Sequence, residues 1–211
     1  MLTETTGRTP QDLAAELTGL KAVDDWPSVW SGPPEGGTRQ FYDWCARYGW
    51  EPRTTDRTLE LRTRSGGEWT FFAETGGSWT PLRALGHYAW QMSAGSGDEN
   101  GAVHAAAAEA WPAYLKAAEE VLGTPSWSGN WDSADFPEPP QPDYWSDRED
   151  RMETRSPYRF AYWAPDERVP GQPLIVLHQS LSFQAWTTAE PGGSAIALDV
   201  FAPTEFLPGD R

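Results

Sequence analysis

The chain has 211 residues, one cysteine and a formal net charge of −15, from 16 basic and 31 acidic residues. This charge argues against binding along a nucleic-acid backbone, which needs lysine and arginine to neutralise phosphates, and against an anionic membrane surface. Aromatic residues make up 13% of the chain, so it can bury a core and is not an acidic disordered tail. We therefore expect a folded protein that contacts neither phosphates nor lipid directly.

Two helices are predicted in the first fifty residues. Thr9 caps the first helix, in which leucines recur at helical spacing. Thr38 caps the second, over about 39–48, and Gly49 ends it. Cys45 lies on the apolar stripe of this second helix, so we expect its thiol to be buried and unreactive.

Strands are predicted next. Apolar and polar residues alternate over 58–64 and return over 68–74, and the turn residues 65–67 between them predict a β-hairpin. The pair Gly76-Gly77 permits a second reversal, after which the sheet continues. Residues 84–93 fit a strand or a helix.

The second half of the chain combines one long helix with further strands. An alanine-rich pattern predicts the helix over about 102–122. Strands are predicted at 158–163, 174–187 and 194–202, and the last two form a hairpin. Matching apolar residues across that hairpin pairs Leu181 with Val200, Phe183 with Leu198 and Ala185 with Ile196.

The order of these elements predicts an α+β fold. We expect an antiparallel sheet of about five to six strands, with N-terminal helices and one long central helix packed on it. Residues 1–211 are predicted to form a single domain with one long loop at about 124–157, which is rich in Trp, Pro and Asp.

Residues 124–157, called the acidic segment below, are the strongest candidate for a binding surface. A loop this long in a compact domain is usually functional or disordered, and its aromatic residues argue against disorder. Interfaces favour tryptophan, and acidic surfaces accelerate the capture of basic partners. The alternative is that the tryptophans pack against their own domain. We predict that a basic protein partner contacts Trp127, Trp131, Asp132, Asp135, Phe136, Glu138 and Trp145.

Signals of catalysis are few. The three histidines, His87, His104 and His178, lack metal-ligand spacing, and no phosphate-binding or dinucleotide motif is present. We therefore predict no metal and no cofactor. The one enzyme-like set is His178, Ser182 and Asp199 on one face of the C-terminal hairpin, which would give a hydrolase with a Ser-His-Asp triad. The alternative is a polar sheet face.

Three features carry a resemblance to known proteins. They are Tyr48-Gly49-Trp50 after a helix, Leu122-Gly123-Thr124-Pro125 after the long helix, and the C-terminal hairpin. In these features the chain resembles small acidic immunity proteins of bacterial toxin systems and uncharacterised actinobacterial domains of similar size. The resemblance implies a cytoplasmic, non-enzymatic inhibitor that blocks a basic toxin by charge and shape. A second likeness, to secretion-chaperone-type α+β folds, also implies a protein binder.

The expected function is a non-catalytic protein-binding domain, an immunity or inhibitor protein that captures a basic partner. Two alternatives stay open, a hydrolase that uses the His178 face and an acidic mimic of nucleic acid. A single cysteine rules out an intrachain disulfide, and residues 1–21 hold no apolar signal core, so we expect a cytoplasmic protein. The oligomeric state stays open.

Overall fold

The computed structural model describes residues 3–4, 7–55, 58–73, 79–142 and 144–206. Among these residues lie five α-helices and nine β-strands. The helices are α1 (Pro10–Lys21), α2 (Trp26–Trp30), α3 (Arg39–Tyr48), α4 (Asn100–Leu122) and α5 (Arg148–Thr154). The strands are β1 (Thr3–Glu4), β2 (Glu51–Pro52), β3 (Leu59–Arg62), β4 (Glu68–Ala73), β5 (Leu82–Ser93), β6 (Trp127–Asn130), β7 (Arg159–Trp163), β8 (Leu174–Leu181) and β9 (Gly193–Phe201).

The strands form one sheet, in which eight follow the order β2-β3-β4-β5-β9-β8-β7-β6 and β1 pairs with β5. Neighbouring strands such as β3 and β4, or β6 and β7, run antiparallel. The predicted α+β class is therefore confirmed, but the predicted number of five to six strands is wrong. The additional strands β1 and β2 have two residues each, which is too short for a visible alternation of apolar and polar side chains. The four residues of β6 include a glycine and an asparagine, both of which are depleted in strands.

The chain divides into two compact units, each with buried apolar side chains of its own. The elements α1, β5, β8 and β9 contribute residues to both units. Unit 1 comprises Met1–Ala14, Tyr88–Trp163 and Val176–Leu198, and unit 2 comprises Ala15–His87, Ala164–Ile175 and Asp199–Arg211.

The local signals for α3 in unit 2 are confirmed. The hydroxyl of Thr38 accepts a hydrogen bond from the backbone N–H of Phe41. Gly49 ends the helix with φ of 72°, a left-handed conformation that glycine adopts without strain. Cys45 is buried, as its place on the apolar stripe predicts.

The predicted hairpin of unit 2 is present as β3 and β4. Leu61 lies opposite Trp69, and both side chains are buried, so the alternation of the sequence sets the register. Residues 84–93, which fit either a strand or a helix, lie in β5. The predicted second reversal at Gly76-Gly77 lies outside the described residues.

Unit 1 is built on α4, which is continuous through Pro112. The buried side chain of Gln179 on β8 donates from Nε2 to the Ala107 carbonyl at 2.8 Å. Arg159 on β7 donates from Nη1 to the Ala108 carbonyl at 3.3 Å. These bonds fasten the long helix to two strands, and the predicted packing of a long helix on the sheet is confirmed.

The predicted register of the C-terminal hairpin is wrong. Strand β8 ends at Leu181, and the N–H of Ser182 donates to the Gly193 carbonyl at 2.9 Å. The following residues, Phe183–Trp186, form a short 3-10 helix instead of continuing the strand. The prediction from apolar residues fails because these residues leave the sheet. Phe183 and Ala185 therefore have no partners in β9.

A buried asparagine explains why the chain leaves the sheet at this point. The Nδ2 of Asn100 lies 2.6–2.9 Å from the carbonyls of Gln184, Thr187 and Glu190, which share its two hydrogens. Its Oδ1 accepts from the N–H of Gly192 at 2.9 Å. One side chain at the start of α4 therefore ties down the whole connection between β8 and β9.

The acidic segment contains two regular elements rather than one long loop. Strand β6 pairs with β7, with Trp127 opposite Tyr162. Helix α5 begins after Asp147, whose carboxylate accepts from the N–H of Asp150 at 3.0 Å. Across the described part of the chain, none of the helices has both the length and the apolar character needed to cross a membrane.

Candidate partner-binding surface

The aromatic residues of the acidic segment pack on strand β7 of unit 1. The Phe160 ring lies 5.1 Å from the Phe136 ring and 5.0 Å from the Trp145 ring, measured between centroids. Phe136 and Trp145 are buried, so they act as a local core and are not exposed anchors. These two residues therefore pack against their own domain, whereas Trp127 and Trp131 stay partly exposed.

Two indole N–H groups fix this local core. Trp145 donates to the Pro137 carbonyl at 2.9 Å, and its ring stacks on Tyr162 at 5.7 Å. Trp127 donates to the carboxylate of Asp135 at 3.2 Å. One oxygen of Asp135 is therefore already engaged in a hydrogen bond within its own segment.

A buried arginine supports the segment from α5. The guanidinium of Arg151 lies 3.8 Å from the centre of the Phe136 ring, and its Nε donates to the Trp131 carbonyl at 2.9 Å. Burial lowers the pKa of Arg151, and the negative charges of Glu138 and Asp147 partly offset that effect. Arg151 therefore links the aromatic core of the segment to its acidic surface.

A second arginine, Arg155, packs on the partly exposed Trp131. The Arg155 guanidinium lies 5.6 Å from the Trp131 ring and 4.4 Å from the Trp186 ring, both within cation–π range. Arg155 has φ of 55°, which directs the chain out of α5 in a left-handed conformation. Trp131 is thus held between segments of unit 1.

The acidic side chains of the segment face solvent. Residues 124–157 carry eight acids and three arginines, a net charge of −5. In the portion of the segment that the structure describes, seven carboxylates are exposed and none forms an ion pair with a described arginine or lysine. Acids elsewhere do pair, for example Asp25 with Arg47 at 2.9 Å. The seven are Asp132, Asp135, Glu138, Asp147, Glu149, Asp150 and Glu153.

Part of this surface forms a cleft of about 590 Å³, called the acidic cleft below. The carboxylates at its edge come from both the proline-rich stretch and the start of α5. Two prolines, a serine and the largely buried Trp145 complete its lining. The lining residues are Glu138, Pro139, Pro142, Trp145, Ser146, Asp147 and Asp150.

The geometry disfavours the predicted catalytic set. Ser182 lies beyond the end of β8, and its Oγ accepts from the Gly193 N–H at 2.9 Å. Four residues at the rise of a strand separate the Cα atoms of His178 and Ser182 by about 13 Å, which exceeds the combined reach of the two side chains. Asp199 belongs to unit 2, whereas the other two residues belong to unit 1. The hydrolase stays a prediction, with no His–Ser contact in its favour.

The described ranges hold no candidate set of metal ligands. No group of three or more His, Cys, Asp or Glu side chains there is arranged to hold a metal ion.

No family model matches this chain. Searches of curated proteins and of solved structures find no match either.

Two of the seven residues that line the acidic cleft, Glu138 and Trp145, are among the partner contacts that the sequence predicts. Asp147 and Asp150 also line the cleft, but they fall in the stretch predicted as a loop and are not among those contacts. The missed signal was local, because Asp147 followed by Glu149 and Asp150 is the usual pattern of a capped helix start.

Proposed function

We propose that this chain is a non-catalytic protein-binding domain that captures a basic protein, in the manner of an immunity or inhibitor protein. The observation that carries the proposal is the set of exposed carboxylates in the acidic segment, none of which forms an ion pair with a described arginine or lysine. Carboxylates in ion pairs within the protein would have to give up those partners before binding another protein. These carboxylates have no ion-pair partner among the described residues, although Asp135 and Asp147 accept hydrogen bonds from their own segment.

The supporting structure favours recognition over mere solubility. A rigid surface loses less conformational entropy on binding than a mobile one. The segment is held by the Trp145 bond to Pro137, by the Arg151 bond to Trp131 and by aromatic packing on Phe160. The backbone that carries these charges is therefore anchored at several points, and a pattern of negative charge selects a partner with a complementary pattern.

Affinity capture from an extract of the native host tests this function. The full chain is immobilised, and bound proteins are eluted with increasing salt and identified. We expect one or a few basic proteins that elute as ionic strength rises, because salt screens exposed charges. The variant Asp132→Asn/Glu138→Gln/Asp150→Asn should lose them, since it removes three charges without disturbing Asp135 or the helix cap Asp147.

A charge-matched control separates the segment from overall acidity. The variant Asp98→Asn/Glu109→Gln/Glu119→Gln removes three exposed or partly exposed acids outside the acidic segment and should retain capture. Loss of capture in both variants would mean that net charge alone is responsible. Full capture by the segment variant would contradict the proposed function.

A further inference from the structure

We propose that Asn100 and Gly101, at the start of α4, form a deamidation site that the folded chain protects. The chain has two asparagines, and Asn100 precedes a glycine whereas Asn130 precedes a tryptophan. Asparagine is a thermolabile residue, and glycine offers the least hindered backbone nitrogen because it has no Cβ. The proposal concerns the chemical lifetime of the chain and is independent of the proposed function.

The reaction at this site needs only water as a co-reactant. The backbone nitrogen of Gly101 attacks Cγ of Asn100, so that an N–Cγ bond forms and the Cγ–Nδ2 bond breaks. Ammonia leaves with the proton that the Gly101 nitrogen gives up. Water then opens the resulting five-membered ring. Opening at Cγ leaves an aspartate, and opening at the main-chain carbonyl leaves an isoaspartate, in which the backbone runs through the former side chain.

The fold holds the two reacting groups away from this geometry. Asn100 is 2% exposed and has a helical backbone, with φ of −58° and ψ of −36°, whereas the five-membered ring forces ψ far from the helical value. Its Nδ2 lies 2.6–2.9 Å from three carbonyls of the connection between β8 and β9, and its Oδ1 accepts from the Gly192 N–H at 2.9 Å. The side chain therefore turns toward the Gly101 nitrogen only when that connection moves away.

The connection also packs closely on itself and on α4. Gly192 leaves no room for a side chain, because a Cβ there would meet the backbone of Ala185. The ring of His104 holds the same residue, with Nε2 at 2.8 Å from the Ala185 carbonyl. Deamidation therefore requires local opening of residues 183–192, and its rate in the native protein is the rate of the unfolded chain multiplied by the open fraction.

Deamidation makes this opening permanent. A carboxylate at position 100 has only acceptors, so it cannot donate to the carbonyls of Gln184, Thr187 and Glu190. Isoaspartate also adds one carbon to the backbone in the first turn of α4. A chain that is modified while the connection is open therefore does not return to the native contacts.

Peptide mapping by mass spectrometry tests the proposal on the full chain. The protein is incubated at pH 8, either native or unfolded in guanidinium chloride, and conversion at position 100 is followed over time. We expect conversion at least about tenfold faster in the unfolded chain, because unfolding removes the protection. Asn130 is the internal reference and should stay unmodified in both samples over the same period. Equal conversion of position 100 in the two samples, or none in the unfolded chain, overturns the proposal.

Two variants separate the reactivity of the sequence from the protection by the fold. Gly101→Ala adds a Cβ in open space and should slow conversion of the unfolded chain severalfold. His104→Ala keeps the reactive pair but removes a contact of Ala185, and it should raise conversion of the native protein about fivefold through the loss of one hydrogen bond. Unchanged native conversion in a His104→Ala protein that circular dichroism shows to be folded contradicts protection by residues 183–192. The comparison of native and unfolded samples of the unaltered chain decides the proposal even where this variant does not fold.

Discussion

The buried carboxylate of Glu16 connects two elements of unit 2 by hydrogen bonds. Glu16 is 1% exposed, and its Oε2 accepts from the Thr63 hydroxyl at 2.7 Å and from the Trp69 indole at 3.0 Å. It therefore ties α1 to the hairpin of β3 and β4. The buried Trp69 indole loses its acceptor if Glu16 is removed, and an unsatisfied buried donor costs about 1–3 kcal/mol. The half-buried Thr63 hydroxyl loses one acceptor but also lies 3.2 Å from the Ser65 hydroxyl.

We expect Glu16→Ala to lower the free energy of unfolding by about 2–4 kcal/mol, measured by urea denaturation. The exposed Glu119 on α4 gives a matched control, since Glu119→Ala should change the free energy by less than about 0.5 kcal/mol. Equal effects of the two substitutions would contradict the role of Glu16.

The Asp166 carboxylate provides a pH-dependent contact. Side-chain hydrogen bonds from Arg168, at 2.6 Å from Nη2 and 2.8 Å from Nε, lower the pKa of Asp166 to about 2. Because the folded-state pKa lies below the unfolded value, this contact stabilises the fold above about pH 4, and the contribution is lost as pH falls through 2.

We expect Arg168→Gln to raise the pKa of Asp166 toward its ordinary value, followed by NMR titration of the Asp166 carboxyl carbon. The exposed Arg39 on α3 serves as a control, because Arg39→Gln should leave that pKa unchanged. An Asp166 pKa that does not respond to loss of Arg168 would show that the pair does not form in solution.

The single cysteine is predicted to be inert in the folded protein. Burial raises the pKa of Cys45 to about 12, so little thiolate exists at neutral pH. A chromogenic disulfide reagent at pH 8 should leave the native protein unmodified and label one thiol after denaturation. Full labelling of the native protein on the time scale of free cysteine would contradict its burial.

The burial of Cys45 was predictable because it depends on local spacing along α3. The fate of Phe136 and Trp145 was not, because it depends on Phe160, which lies in β7 beyond α5 in the chain. A tryptophan in an acidic, proline-rich stretch gives no local sign of which strand it covers. The sequence alone therefore does not determine whether Phe136 and Trp145 are buried or exposed.

At the scale of elements, Asn100 sets the geometry of the connection between β8 and β9. Its amide bonds reach Gln184, Thr187, Glu190 and Gly192. Aspartate has nearly the same shape, but it would point an acceptor oxygen at carbonyls that need a donor. The two substitutions Asn100→Ala and Asn100→Asp therefore test the contact in different ways.

We expect Asn100→Ala to lower the free energy of unfolding by about 2–4 kcal/mol, and Asn100→Asp to lower it at least as much, measured by urea denaturation. Asn130, an exposed asparagine of β6, is the control, and Asn130→Ala should change it by less than about 0.5 kcal/mol. An Asn100→Asp protein as stable as the unaltered chain would contradict this role.

The elements that the sequence predicted well are those that local chemistry defines. Helix α3 has its cap and its glycine stop, and β3 and β4 have their alternation and turn. The C-terminal hairpin failed because Asn100, more than eighty residues earlier, removes part of the expected strand from the sheet. Non-local hydrogen bonds of this kind leave no periodic pattern in the sequence.

At the scale of the whole molecule, the negative charge is distributed unevenly. Residues 39–64 carry six arginines and four acids, a net charge of +2, whereas 65–147 carry twelve acids and two bases, a net charge of −10. Part of this acidity lies on the acidic segment, where some of the carboxylates line the acidic cleft. The location of the charge was predictable from the sequence, but the cleft was not, because it needs the packing of Trp145 and the start of α5.

We propose that a basic protein binds at the acidic segment. Hydrogen–deuterium exchange of the full chain, alone and with its captured partner, tests it most directly. We expect slower exchange of backbone amides within 137–150 in the complex, with unchanged exchange over the exposed side of α4. Protection elsewhere in the chain, with unchanged exchange over 137–150, would contradict the claim.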